Sequence, residues 1–127
     1  MELSDCPDIK VISTGGMLNA KNMSYTGRIV EYIIRSHYYA NKVFFSCRGV
    51  TLSRGLMEST EAEAEIKKAM IDCSESAIFL CDKNKLGRLG VPVISGLENI
   101  DVIITDIKLD EEWNNTLQEK DVRIVTV

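Results

Sequence analysis

Short apolar runs alternate along this chain with segments in which apolar residues recur at helical spacing. Ile9-Lys10-Val11-Ile12 reads as a strand that stops at Gly15-Gly16. Residues 24–38 place Ile29, Val30, Ile33 and Ile34 on one helical face. Val43-Phe44-Phe45-Ser46 predicts a second strand, followed by a loop containing Gly49 and Gly55. Thr60-Glu61-Ala62-Glu63 matches a capping box, and Ala62, Ile66, Ala69, Met70 and Cys73 continue from it as one stripe. Ala77-Ile78-Phe79-Leu80-Cys81 and Asp101-Val102-Ile103-Ile104-Thr105 predict buried strands. Val91-Pro92-Val93-Ile94 suits an edge strand, because proline donates nothing to a ladder. Asp110 is a good N-cap for a short helix marked by Trp113 and Leu117, and Val122-Arg123-Ile124-Val125 closes the chain as a strand.

Strands alternating with helices imply βαβ units. The expected fold is therefore α/β, a three-layer α/β/α sandwich around a mostly parallel sheet. The length of 127 residues fits one domain spanning residues 1–127. The first predicted strand begins almost at once, so the domain reads as clipped at its start.

Composition narrows the function. The chain is 45% hydrophobic and 27% charged, as in ordinary globular proteins, with a net charge of −4. No cluster of lysine and arginine stands out, which argues against direct nucleic-acid binding by this chain. Cys6, Cys47, Cys73 and Cys81 form no C-x-x-C pair, and His37 is the single histidine, so neither a metal site nor a cofactor is expected. Cysteines in apolar contexts read as reduced core thiols and point to the cytoplasm. No apolar run approaches the roughly 18 residues that a membrane span needs.

Candidate chemistry gathers where strands end. Asp82-Lys83-Asn84-Lys85-Leu86-Gly87 follows an apolar strand, and in open α/β sheets ligands bind beyond the carboxyl ends of strands. Lys85 brings a compact positive charge and Arg48 a planar fork suited to phosphate. Gly15, Gly16 and Gly49 permit close backbone approach to a ligand. Asp82 accepts sugar hydroxyls or holds Lys85 in place. A plainer account stands beside each: a surface ion pair for Asp82 and Lys85, turn chemistry for the glycines, and a helix cap for Asp106. Glu61, Glu63 and Glu65 read as cap and solvated helix face, with Lys67 four residues after Glu63 as an exposed ion-pair partner. His37 has no acid or nucleophile beside it and is assigned no catalytic role.

The chain resembles the C-terminal sensor domain of DeoR-family transcriptional regulators. The likeness runs through Val11-Ile12-Ser13-Thr14-Gly15-Gly16, Ser24-Tyr25-Thr26-Gly27, Phe44-Phe45-Ser46-Cys47-Arg48-Gly49-Val50 and Glu63 to Met70. Its most specific stretches are Asp82 to Gly87 and Ile100 to Asp106. The resemblance implies a regulator, usually a repressor of carbohydrate genes, relieved by a phosphorylated sugar. It also implies a homo-oligomer that meets DNA through an N-terminal helix-turn-helix. That helix-turn-helix, and the first βαβ portion of the sensor, are expected to be missing here.

The same fold resembles ribose-5-phosphate isomerase, which shares the Asp-x-x-Lys loop and supplies an enzyme alternative. The isomerase's glycine-rich loop carries acidic residues. The matching stretch, Cys47-Arg48-Gly49-Val50-Thr51, has none, and its nearest downstream acid is Glu58. Sensing is therefore expected rather than catalysis, with a ligand-free dimerisation module as a third reading.

Overall fold

A computed structural model describes residues 2–127. In chain order the elements are β1 (Met17–Asn19), β2 (Ser24–Thr26), α1 (Arg28–His37), β3 (Ala40–Phe45), β4 (Gly49–Thr51), β5 (Gly55–Met57), α2 (Glu61–Asp72), β6 (Ser74–Cys81), β7 (Val93–Ser95), β8 (Val102–Thr105), α3 (Glu111–Glu119) and β9 (Arg123–Thr126). Four strands form a parallel sheet in the order β3-β6-β8-β9. With its three helices this sheet is consistent with the expected three-layer α/β/α architecture. A three-stranded antiparallel sheet, β4-β5-β7, and the β1-β2 hairpin complete the fold.

Local chemistry explains the helix starts. Thr60 Oγ1 accepts from the Glu63 N–H at 3.3 Å and opens α2. Asp110 Oδ1 does the same for the Trp113 N–H at 2.9 Å and opens α3. α1 has no side-chain cap and begins after Gly27, whose φ of 106° turns the chain out of β2.

Register aligns Phe45, Phe79, Ile103 and Ile124 in one row across the parallel sheet. That row faces the main core, to which α2 contributes Ala64 and α3 contributes Leu117. Phe79 is fully buried, and its ring lies 5.6 Å from that of Phe45. One residue out of phase, the side chains meet the other sheet face, where Phe44 is 56% exposed. On the input side of the sheet, Asp101 Oδ2 accepts from the Ala77 N–H at 2.7 Å and ties β8 to β6.

Some expectations are corrected. Ile9 to Ile12 is exposed and is no strand; among the described residues no strand pairs with it, and an apolar run needs a neighbouring ladder to become a strand. Residues 24–26 belong to a hairpin instead of the predicted helix, because Gly27 interrupts the helical run. The edge strand expected at 91–94 is β7, and it borders the small antiparallel sheet. Pro92 sits just before it, with its carbonyl accepting from the Glu58 N–H at 2.9 Å.

Candidate functional site

The carboxyl ends of β3 and β6 release two loops that are stitched together. The Val50 N–H donates to the Lys85 carbonyl at 3.0 Å, and the Gly87 N–H returns to the Val50 carbonyl at 2.8 Å. Within the second loop, the Asn84 N–H donates to Asp82 Oδ1 at 2.7 Å, and the Lys85 N–H donates to the Asp82 carbonyl at 3.0 Å. The Lys83 N–H donates to Asp106 Oδ1 at 2.9 Å, tying the loop to the end of β8. Asp106 is thus a loop brace and does not cap a helix.

These contacts hold Lys85 and Arg48 on the wall of one cavity of about 1110 Å³. The cavity runs from the strand ends along β3 to α1 and the hairpin, with Thr14, Ser46, Val30, Phe44 and Met70 among its lining. Its size is slightly above the range of small-molecule sites, roughly 300–1,000 Å³. Four cations line it, Lys42, Arg48, Lys67 and Lys85, against two carboxylates, Glu58 and Glu63. The wall therefore carries a two-charge positive excess in a chain whose net charge is −4.

The predicted residues separate into two groups. Arg48 and Lys85 line the cavity. Asp82 is exposed, is not part of the lining, and makes no ion pair with Lys85 among the described residues; its side chain shapes the loop instead. Gly49 is buried, and a side chain there would run into the Arg88 carbonyl. Gly15 and Gly16 follow the lining residue Thr14 but do not themselves line the cavity; Gly16 packs close to Thr26 and Val30 at a φ of 94°.

Besides Lys42, three charged residues belong to the cavity wall that the periodicity assigned to solvent or left aside. Glu63 is only 8% exposed, and its carboxylate accepts from Asn22 and Asn19 of the hairpin. The capping box is thus half formed: Thr60 caps, but the glutamate turns to the hairpin. Lys67 does not pair with Glu63; its ammonium binds Glu58, which is 4% exposed. The other Glu58 oxygen accepts from the Ser59 N–H at 2.8 Å. Helical spacing places Glu63 and Lys67 on one face of α2, but only the hairpin asparagines and Glu58, which meet that face, take it out of water.

Two buried thiols underlie the strand ends. Burial pushes Cys47 up to about 11 and Cys81 up to about 12, so both stay protonated near neutrality. The Cys47 thiol donates to the Gly49 carbonyl at 3.2 Å and acts as a small core group. Among the described residues no group of three or more His, Cys, Asp or Glu is placed to hold a metal. No helix among them is long and apolar enough to cross a membrane.

Comparison with known proteins adds an independent line. The profile of the DeoR C terminal sensor domain matches residues 1–107. An uncharacterized HTH-type transcriptional regulator of Bacillus subtilis, YulB, is 36% identical over 127 residues, which is 100% of this chain and 49% of the relative. The HTH-type transcriptional regulator GolR of Listeria innocua is 30% identical over 94% of this chain and 46% of its own length. The L-fucose operon activator of Haemophilus influenzae is 29% identical over 93% of this chain and 47% of its own length. The chain thus spans about half the length of these relatives.

Proposed function

This chain belongs to the DeoR C-terminal sensor domain family, and from that premise we propose that it senses a phosphorylated sugar for a transcriptional regulator of carbohydrate metabolism. One observation carries the reading: a cavity with a two-charge cationic excess at the carboxyl ends of parallel strands, in an acidic chain. A phosphate monoester is close to doubly negative at neutral pH and matches that excess. Arg48 supplies a two-pronged contact and Lys85 a point charge to the phosphate. Asp82 and Gly49 serve this site through the loop geometry they hold, and Gly15 and Gly16 through the turn behind Thr14.

Sensing is favoured over isomerisation by the state of the nearest acid. Glu58 has one oxygen on Lys67 and the other on a backbone N–H, so its carboxylate is tied into the protein rather than presented to a ligand in the cavity. In the whole cytoplasmic protein, a homo-oligomer in this proposal, the effector acts by binding one quaternary state more tightly than another. DNA is reached through a helix-turn-helix elsewhere in the polypeptide. Repression relieved by the effector is the proposed sense; the relative named as an L-fucose operon activator supports activation as a second possibility.

The test is calorimetric titration of the chain with pentose and hexose phosphates, their unphosphorylated sugars, and inorganic phosphate. Expected is binding of at least one sugar phosphate, weakened about tenfold or more in Lys85→Ala with little change in melting temperature. Equal affinity in that variant removes Lys85 from the site. Heat from no phosphorylated compound refutes the sensor reading, and turnover of a sugar phosphate restores the enzyme.

A further inference from the structure

The Glu58–Lys67 pair is not explained by stability alone. The Glu58 side chain is 5% exposed and the Lys67 side chain 24%, so both charges have lost most of their water. A pair this dry repays its desolvation only when every polar atom is partnered. Glu58 meets that condition, with one oxygen on Lys67 and the other on the Ser59 N–H. Lys67 does not. Its ammonium has three donors, one protein acceptor among the described residues, and a place on the cavity wall. Its remaining N–H donors are therefore available to whatever fills the cavity. The pair also lies close enough to the strand-end loops for both charges to act on Cys47, the neighbour of Arg48.

We propose that Lys67, oriented by buried Glu58, is a second recognition point of the cavity, reading hydroxyl or carbonyl oxygens of a ligand whose phosphate is held at Arg48 and Lys85. This rests on the sugar-phosphate reading above and adds to it the residues that tell a polyhydroxylated phosphate from a bare one. Two charges of opposite sign suit that task. Lys67 donates to a ligand oxygen, while Glu58 fixes the ammonium in place and offsets its charge, so this end of the cavity does not compete for the phosphate. Glu58 is thus a positioning residue, and Lys67 the contact.

Removing Lys67 alone strands a buried carboxylate, so the working variant is the double substitution Glu58→Gln with Lys67→Met, checked for folding by its melt. Calorimetry compares it with the wild-type chain on sugar phosphates and on inorganic phosphate. The expected result is about a tenfold or greater loss for sugar phosphates, with inorganic phosphate bound as before. Glu58→Gln alone is expected to narrow the preference for sugar phosphate over phosphate without abolishing it. A parallel loss on both ligands makes Lys67 a third phosphate contact and overturns the proposal. An unchanged preference in the folded double variant overturns it as well, with the sugar-phosphate reading intact. If the wild-type chain binds no sugar phosphate, both readings fall together.

Discussion

Glu63→Ala is expected to loosen the β1–β2 hairpin while leaving the parallel sheet intact. A two-stranded hairpin is marginal in water by itself, and this one has only three residue pairs, from Met17–Thr26 to Asn19–Ser24. Among the described residues, the side-chain hydrogen bonds that join it to the body go to Glu63 on the first turn of α2, which accepts from Asn22 and, at 3.5 Å, from Asn19. A hydrogen bond to a charged acceptor contributes about 1.5–3 kcal/mol net. The Asn19 contact is at the distance limit and Asn22 is exposed enough to rehydrate, so the low end applies, about 1.5 kcal/mol. That shifts the local opening equilibrium by about tenfold. Native-state hydrogen exchange should therefore show protection across residues 17–26 falling by about that factor, with amides of β6 and β8 unchanged. Glu63→Gln, which keeps a neutral acceptor in place, should fall between. Because Asn22, Ser24, Tyr25 and Thr26 line the cavity, the same change should lower ligand affinity. Unchanged protection in the hairpin, or a uniform loss reaching β6, would show that Glu63 is not the tether.

Phe79→Ala should cost about 3–5 kcal/mol in urea titrations followed by Trp113 fluorescence, because Phe79 is fully buried at the centre of the sheet. Phe44→Ala, on the exposed side of β3, should cost under about 1 kcal/mol, and similar values for the two would contradict the assignment of sheet faces. Gly49→Ala places a methyl group against the Arg88 carbonyl and should destabilise by about 1–3 kcal/mol in the same assay; wild-type stability would mean that the loops are not packed as described. Asp101→Ala leaves the Ala77 N–H without its side-chain acceptor and should cost about 1–3 kcal/mol. The thiols of Cys47 and Cys81 titrate at about 11 and about 12 when folded, against an ordinary 9.0. The unfolded chain releases those protons first, so their contribution is fully present below pH 9.0 and is lost as pH climbs toward 11. Melting temperatures from pH 8 to 10.5 should thus fall more steeply for the wild type than for Cys47→Ala with Cys81→Ala, and parallel curves would remove the thiols as the cause.

Much of the architecture is legible in local chemistry. Thr60 and Asp110 announce α2 and α3 because a side-chain oxygen satisfies a free amide wherever a helix starts. The runs at 77–81 and 102–104 become central strands because unbroken apolar residues in an extended chain need burial on both sides. The loop that carries Lys85 is marked by the abrupt change from Cys81 to Asp82. Periodicity is a weaker guide where partners decide the outcome. Ile9 to Ile12 has the composition of a strand but, among the described residues, no strand to pair with. The three-residue strands β4, β5 and β7 are too short for any period, and they exist because they pair with one another.

The sequence alone determined the α/β class, the main strands and two helix starts, and it drew attention to Arg48 and Lys85, because those features depend on residues close together in the chain. Tertiary structure decided which charges share a cavity. Helical spacing made Glu63 and Lys67 look like an exposed pair, yet the fold sends one to Asn22, 41 residues away, and the other to Glu58, 9 residues away. The physical reason is that a charge's environment is set by what packs over it, and here that cover comes from segments distant in sequence.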